Sequence, residues 1–234
     1  FLRSCFFFKY MNKYTIIIPV HNERNSIPEL LKKLKYYAVN NHEIIIIDDG
    51  SNDGSTDLLK KCNFINLICL NVNRGKGSAL KEGLIKAKYE KIVIFDSDLE
   101  LDPSEIVKLM NLDKKNNIYG IMGYRFKNLY PFKSSFDWGN FMFTSLFNIM
   151  FNSFHKDILC CAKSFYLDKR MIDMIKSNTF AIDIEISSLL TLKKINIQQI
   201  LLTYKRRTKE EGKKLIVNDG WKILGKVISM LKYY

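Results

Sequence analysis

Short apolar runs alternate with stretches of helical spacing along the first half of the chain. Tyr14 to Val20 (YTIIIPV) is rich in β-branched residues and predicts a strand. His21, Asn22 and Glu23 follow it, Asn25-Ser26 reads as a helix start, and Ile27, Leu30, Leu31 and Leu34 recur at helical spacing. A second run, Glu43 to Ile47, is almost pure isoleucine and ends in Asp48-Asp49-Gly50-Ser51. The NDGSTD that follows is turn chemistry, and Ser55 to Asp57 can cap a helix holding Leu58 and Leu59. Phe64 to Asn71 predicts a third strand. Asn73-Arg74-Gly75-Lys76-Gly77 is a glycine-basic loop, and Ser78 opens a helix with Leu80, Leu84 and Ala87. Ile92 to Phe95 is the fourth apolar run, followed by Asp96, Asp98 and Glu100.

Strands in alternation with helices predict an α/β fold with a mostly parallel sheet covered on both faces. The polar clusters after the first, second and fourth strands would then meet at the carboxyl ends of the strands, where such sheets bind ligands. Strand alternation would place Asp96, Asp98 and Glu100 on one side. A surface turn rich in Asp is the plain alternative. The position after a buried strand favours a hard cation, held by one or two carboxylates together with substrate phosphates. We therefore expect Mg²⁺ or Mn²⁺ at this place.

The second half is less regular. Pro103 to Leu112 reads as a helix, Ile118 to Met122 as a strand, and Gly123-Tyr124-Arg125 follows. Phe141 to Phe154 is aromatic but broken by Asn, Thr and Ser, too short and too polar to span a bilayer. It reads as a buried amphipathic helix, with an interfacial helix as the alternative. Asp183 and Glu185 in FAIDIEISSLL face one way if that segment is a strand. Tyr204 to Lys214 is strongly basic, and Trp221 to Tyr234 has helical spacing.

Charge and cysteine content narrow the partners. The 234 residues carry a formal net charge of +13, which points to an anionic partner. The lysines are spread out and no nucleic-acid-binding motif is present, so nucleic acid is not expected. Five cysteines, odd in number and without a Cys-x-x-Cys, speak for a reducing compartment with no disulfide framework and no zinc site. There is no G-x-G-x-x-G after the first strand, and NRGKG lacks the spacing of a Walker A loop. FLRSCFFFKY is too short for a span, and no cleavage-site pattern follows it. Residues 1–13 are expected to be an N-terminal extension with Met11 as the natural start; a membrane-touching aromatic tip is the alternative.

IIIPVHNE, IIIIDDGSNDGSTD, NRGKGSAL and VIFDSDLELDP stand in the order found in family 2 glycosyltransferases and resemble their donor-binding half. MGYRF, Gly139-Asn140, Asp183-x-Glu185 and YKRRTKEEGKKLIVNDGWKIL resemble the dolichyl- or polyprenyl-phosphate mannose and glucose synthase branch and its soluble bacterial relatives. The resemblance implies a GT-A fold over residues 14–215, with a donor half at 14–112 and an acceptor half at 113–215. Residues 216–234 would form a basic amphipathic helix. It implies an inverting enzyme that moves a hexose from UDP-glucose or GDP-mannose to a polyprenyl phosphate. A glycan hydroxyl is the alternative acceptor, and a non-catalytic sugar-nucleotide-binding subunit is the rival class.

By the same resemblance Pro19, His21, Glu23 and Asp49 meet base and ribose, His21 standing where Tyr is more usual. Asp96, Asp98 and Glu100 meet the metal and diphosphate, and Lys76 approaches phosphate. Arg125, Arg206 and Arg207 match basic positions that handle donor or acceptor phosphates. After Asp157, Leu159-Cys160-Cys161 departs from the small-residue or Thr-Cys motif of many relatives. Asp183 or Glu185 would be the base for a hydroxyl acceptor, and a structural pairing with the basic segment is the alternative. A peripheral enzyme at the cytoplasmic membrane face is expected, because the last helix sets Trp221, Ile223, Leu224, Val227, Ile228 and Leu231 beside Lys222, Lys226 and Lys232.

Overall fold

The computed structural model describes residues 13–126, 135–208 and 219–233, without the side chains at 135–136, 219, 221–223 and 233. Residues 1–12 of the N-terminal extension, the basic run after residue 208, and the side chains of Trp221, Lys222 and Ile223 thus lie outside the described residues.

Strand β1 (Thr15–Val20) leads to helix α1 (Ile27–Val39), β2 (Glu43–Asp49), α2 (Ser55–Lys60), β3 (Asn66–Leu70), α3 (Lys76–Lys86) and β4 (Lys91–Ile94). A 3-10 turn at Pro103–Glu105 runs into the single-turn α4 (Ile106–Leu109). Then come β5 (Gly120–Tyr124), α5 (Ser135–Met150), β6 (Lys163–Tyr166), α6 (Lys169–Met174), α7 (Ile182–Leu192), β7 (Ile197–Leu201) and α8 (Asp219–Met230). The strands form one seven-stranded sheet in the order β3-β2-β1-β4-β6-β5-β7. Pairing is parallel from β3 through β4 and between β5 and β7, and antiparallel where β6 sits between β4 and β5.

The isoleucine runs follow from burial on both faces. Ile17, Ile45, Ile47, Ile92 and Ile94 enter one core with Leu80, Leu84, Phe147, Val227 and Met230. Ile16, Ile18, Ile44, Ile46 and Val93 enter the other with Leu30, Leu34 and Tyr37. Alternate residues of a strand point to opposite faces, so a sheet buried on both needs apolar residues throughout.

β1 pairs with β2 from Thr15↔Glu43 to Val20↔Asp48, and with β4 from Thr15↔Ile92 to Ile17↔Ile94. The chain leaves β1 on one side toward β2 and reaches β4 on the other. The loops after β1 and β4 therefore part above the strand ends, where α/β sheets open a crevice.

The second half corrects two expectations and adds two strands. The Asp183–Glu185 segment is helix α7, not a strand: positions 182 to 190 are all buried, so the alternation reflects no solvent face. Its hydroxyls are satisfied in helical fashion, Ser187 Oγ donating to Asp183 O and Ser188 Oγ to Ile184 O. The expected helix from Pro103 to Leu112 shrinks to the 3-10 turn and one helical turn. Strands β6 and β7 carried no recognisable pattern; the first begins with Lys163, which is 1% exposed, and the second contains Gln198-Gln199.

Candidate active site

β1, β2, α3 and β4 deliver their polar residues to one cavity of about 300 Å³ at the sheet's carboxyl edge. Pro19, His21, Glu23, Asp49, Lys76, Asp96 and Asp98 all line it, as does Phe180. Seven of the predicted residues are thus brought together.

Asp49 ends β2 and is 3% exposed. Its Oδ1 accepts from Arg74 N at 2.7 Å and its Oδ2 from Gly75 N at 2.8 Å. It therefore organises the glycine loop as well as facing the cavity. His21 Nδ1 lies 2.8 Å from Asp49 O and Nε2 2.9 Å from Asn73 Nδ2, which fixes the ring at the rim.

Lys76 opens α3, and its Nζ lies 2.9 Å from Asp96 Oδ1 and 2.9 Å from Asp183 Oδ2. Burial works against its charge, but Asp183 and Asp96 more than offset that and hold its pKa well above the usual value. A single ammonium thus joins the acid after β4 to the first turn of α7. Asp183 Oδ1 is buried without a hydrogen-bond partner among the described residues. Glu185, two residues on, points elsewhere, because adjacent odd positions of a helix lie on opposite sides. Its carboxylate accepts from Lys176 N and Ser177 N and pairs with Lys226 at 3.0 Å. Asp183 thus reaches the cavity only through Lys76, which lines it, and Glu185 faces away toward Lys226.

The three acids after β4 are not on a strand, since β4 ends at Ile94 and Leu99 adopts a positive φ of 60°. Asp96 borders the cavity. Asp98 is half-buried, and desolvation first, then the charges of Asp96 and Glu100, push its pKa up to about 7. Glu100 Oε1 accepts from Arg207 N at 2.9 Å. Among the described residues no three His, Cys, Asp or Glu side chains are gathered as a metal cage. The donor set nevertheless fits a hard cation: hard carboxylate oxygens, with Asp98 crowded by like charge and no ion-pair partner for it among the described residues. Asp96 and Asp98 would hold the ion, with remaining positions left to phosphates.

A second cavity of about 480 Å³ adjoins the first and shares Glu23 and Asp98 with it. Lys205, Arg206 and Arg207 line it, with Arg24 opposite. Arg207 Nη1 pairs with Glu23 at 2.9 Å, and Arg206 pairs with Asp137 of α5. Arg24 and Lys205 are absent from the residues expected from sequence; position after β1 and the density of basic residues at 205–207 were the available signals.

Arg125 lines neither cavity. Its Nε and Nη2 form a bidentate pair with Asp157 at 2.8 and 3.0 Å, and its plane lies over Phe126 and Tyr204. Burial opposes its charge, and Asp157 holds its pKa well above the usual value. Its side chain is 19% exposed, and its guanidinium is taken up by the pair with Asp157. Cys160 and Cys161 are buried, and the four cysteines among the described residues are free thiols.

An open α/β sheet with acids, one bridging lysine and a glycine loop at its switch point defines a nucleotide-sugar type of transferase domain. Residues 15–172 match the family model described as Glycosyl transferase family 2, and the chain belongs to that family. Among curated proteins it is similar to an undecaprenyl-phosphate 4-deoxy-4-formamido-L-arabinose transferase of Proteus mirabilis (strain HI4320), 33% identical over 129 residues, or 52% of this chain and 39% of that protein. The protein of the same name from Pseudomonas syringae pv. syringae (strain B728a) is 35% identical over 118 residues, 47% of this chain and 34% of that one. The chain spans well under half the length of these relatives. Among solved structures, glucosyl-3-phosphoglycerate synthase from Mycobacterium tuberculosis in complex with Mn²⁺, UDP and glucosyl-3-phosphoglycerate superposes with a TM-score of 0.71, covering 96% of this chain and 81% of that one. At 14% identity this likeness shows the fold, a GT-A glycosyltransferase fold.

Proposed function

We propose that the protein transfers a hexose, with inversion, from UDP-glucose or GDP-mannose to a polyprenyl phosphate. The observation that carries this reading is the pair of adjoining cavities. One is lined by Asp96, Lys76 and Asp49, the other by Lys205, Arg206 and Arg207, and Glu23 and Asp98 stand between them. A nucleotide sugar suits the first and an anionic acceptor the second. The undecaprenyl-phosphate transferases among the relatives support a polyprenyl phosphate as acceptor.

Asp96 and Asp98 would hold a divalent cation, Mg²⁺ or Mn²⁺, which would supply electrostatic stabilisation of the leaving diphosphate. His21 and Asp49 bind and orient the base and ribose, and Lys76 holds Asp96 and Asp183 in place beside them. A polyprenyl phosphate is already anionic, so its attack needs no general base. A glycan hydroxyl would need one, and Asp183 is the candidate: Lys76 holds its Oδ2, and its buried Oδ1 has no partner among the described residues. This hydroxyl reading is the second choice.

A polyprenyl phosphate lies in a membrane, which makes the protein peripheral at its cytoplasmic face. Among the described residues no helix is long and apolar enough to cross a membrane. Helix α8 supports surface contact only in part. Val227 and Met230 are buried in the core and Lys226 is paired with Glu185, while Ile228, and Leu231 just beyond the helix, are exposed. Helix α5 exposes Trp138, Phe141 and Ile149, and its one charged residue, Asp137, is buried against Arg206.

The test is transfer of labelled sugar from each nucleotide sugar, with Mn²⁺ or Mg²⁺, to polyprenyl phosphate in anionic or neutral vesicles. The expected result is butanol-extractable label with one donor and salt-sensitive cosedimentation with anionic vesicles. Label moved only to a soluble glycan would favour the hydroxyl reading. Donor binding without either transfer or hydrolysis would favour a binding subunit.

A further inference from the structure

We propose that Glu185 and Lys226 are positioning residues that clamp the loop carrying Lys76, so that helix α8 is part of the support of the site. The proposal rests on the glycosyl-transfer reading for its consequence in turnover, but its structural content stands on contacts around Glu185.

Glu185 is 1% exposed and lies in the first turn of α7. Its Oε2 accepts from Ser177 N at 2.8 Å and from Lys176 N at 3.1 Å. Lys226 Nζ of α8 reaches Oε1 at 3.0 Å. A buried carboxylate needs both hydrogen bonds and a counter-charge, and here the counter-charge comes from the far end of the chain.

The segment that Glu185 holds is the one that seats the glycine loop. Gly77 N donates to Asn178 O at 3.0 Å. A Cβ on Gly77 would fall 1.9 Å from Ser177 O, and one on Gly75 2.1 Å from Asn178 O. Only glycine permits backbone this close on both sides of Lys76. On the opposite side the loop is held by Asp49, through Arg74 N and Gly75 N. The loop is therefore gripped between Asp49 and the 176–178 backbone, with Lys76 directed at Asp96 and Asp183.

The two grips have separate anchors. Asp49 belongs to the sheet and lines the donor cavity. The other grip depends on Glu185, and through it on Lys226. Loss of the Lys226 charge loosens 176–178 and with it the placement of Lys76 and Asp183, while the Asp49 side keeps the donor. The expected signature is a fall in kcat without a matching loss of donor affinity.

The experiment compares Lys226→Met, Lys226→Arg and the milder Glu185→Gln by amide hydrogen exchange and by single-donor kinetics. In Lys226→Met and Glu185→Gln, amides at 75–77 and 176–178 are expected to exchange about tenfold faster, with the strands of the sheet unchanged. Turnover is expected to fall about tenfold, with the donor Kd within about twofold of wild type, and Lys226→Arg to restore both. Faster exchange confined to residues 219–233, or wild-type turnover in Lys226→Met, overturns the clamp. Should the wild-type chain transfer no sugar, the transfer reading fails, and the exchange pattern still decides the clamp.

Discussion

Arg207 Nη1 touches both carboxylate oxygens of Glu23, at 3.1 and 2.9 Å, across 184 positions of sequence. Glu23 is 4% exposed and also accepts from Ser26 Oγ, so the loop after β1 and the basic segment near the end of the chain meet in the wall between the two cavities. Arg207→Ala is expected to raise the KM for the acceptor phosphate at least about tenfold, since a charge-assisted contact to phosphate contributes about 1.5–3 kcal/mol. Arg207→Lys should recover the fold but not the full affinity, because it lacks the planar fork. An unchanged acceptor KM in Arg207→Ala would remove Arg207 from the acceptor site.

Asp98→Asn separates stability from activity. Burial and the charges of Asp96 and Glu100 disfavour the ionised carboxylate in the folded protein. Removing the charge should leave Tm unchanged or raise it, while transfer falls at least about a hundredfold through loss of a cation ligand. Thermal denaturation and metal titration of the same preparation check both halves. A variant that keeps full activity in chelator would sink the metal assignment.

Arg125→Ala should act on the fold and not on phosphate binding. The side chain forms a bidentate pair with Asp157, whose own side chain is 1% exposed. Truncation leaves a buried carboxylate without its partner, a loss of about 3–5 kcal/mol. Chemical denaturation should show that loss, and donor affinity measured on the remaining folded protein should match wild type. Weakened donor binding at unchanged stability would return Arg125 to the site.

His155 sets a pH dependence of stability. Its Nε2 lies 2.8 Å from Thr191 Oγ1, which itself donates to Ser187 O, so Nε2 carries the proton. Nδ1 is buried without a partner among the described residues. Burial, and then the charge of Lys163, lower the folded pKa to about 4. The unfolded chain takes up its proton near pH 6.5, the folded one only near 4, so stability is lost as pH falls through that window and levels off below it. The loss is about 3 kcal/mol in all. Denaturation of wild type and His155→Gln at pH 7 and pH 4.5 should show a smaller acid-induced loss in the variant; equal losses would exclude His155 as the source.

Much of the first half was legible because its signals are local. β-branched runs buried on both faces, Asp-Gly turns and the acids after β4 each declare themselves within a few residues. Parallel pairing then forces the segments after β1, β2 and β4 to one edge. That logic brought His21, Asp49, Asp96 and Asp98 to one edge, and the family resemblance added Lys76; all five line one cavity. It did not need the alternation expected at 96–100, which the positive φ of Leu99 breaks.

Long-range pairing decided the rest. Asp183-x-Glu185 looks like a strand face because period two is the only regularity in a segment whose every position from 182 to 190 is buried. Only the folded chain shows that a helix sends one acid to Lys76 and the other to Lys226. Arg125 and Arg207 are chemically equal in sequence. Each pairs with a buried carboxylate, Asp157 or Glu23, but only Arg207 also lines a cavity, because the partner of a charge is chosen by tertiary contact and not by its neighbours in the chain. Composition and local pattern thus determined the sheet's parallel half and the edge that carries the chemistry. Which charges face the cavities, and which hold the protein together, was settled by burial: a desolvated charge must find its counter-charge wherever the fold places one.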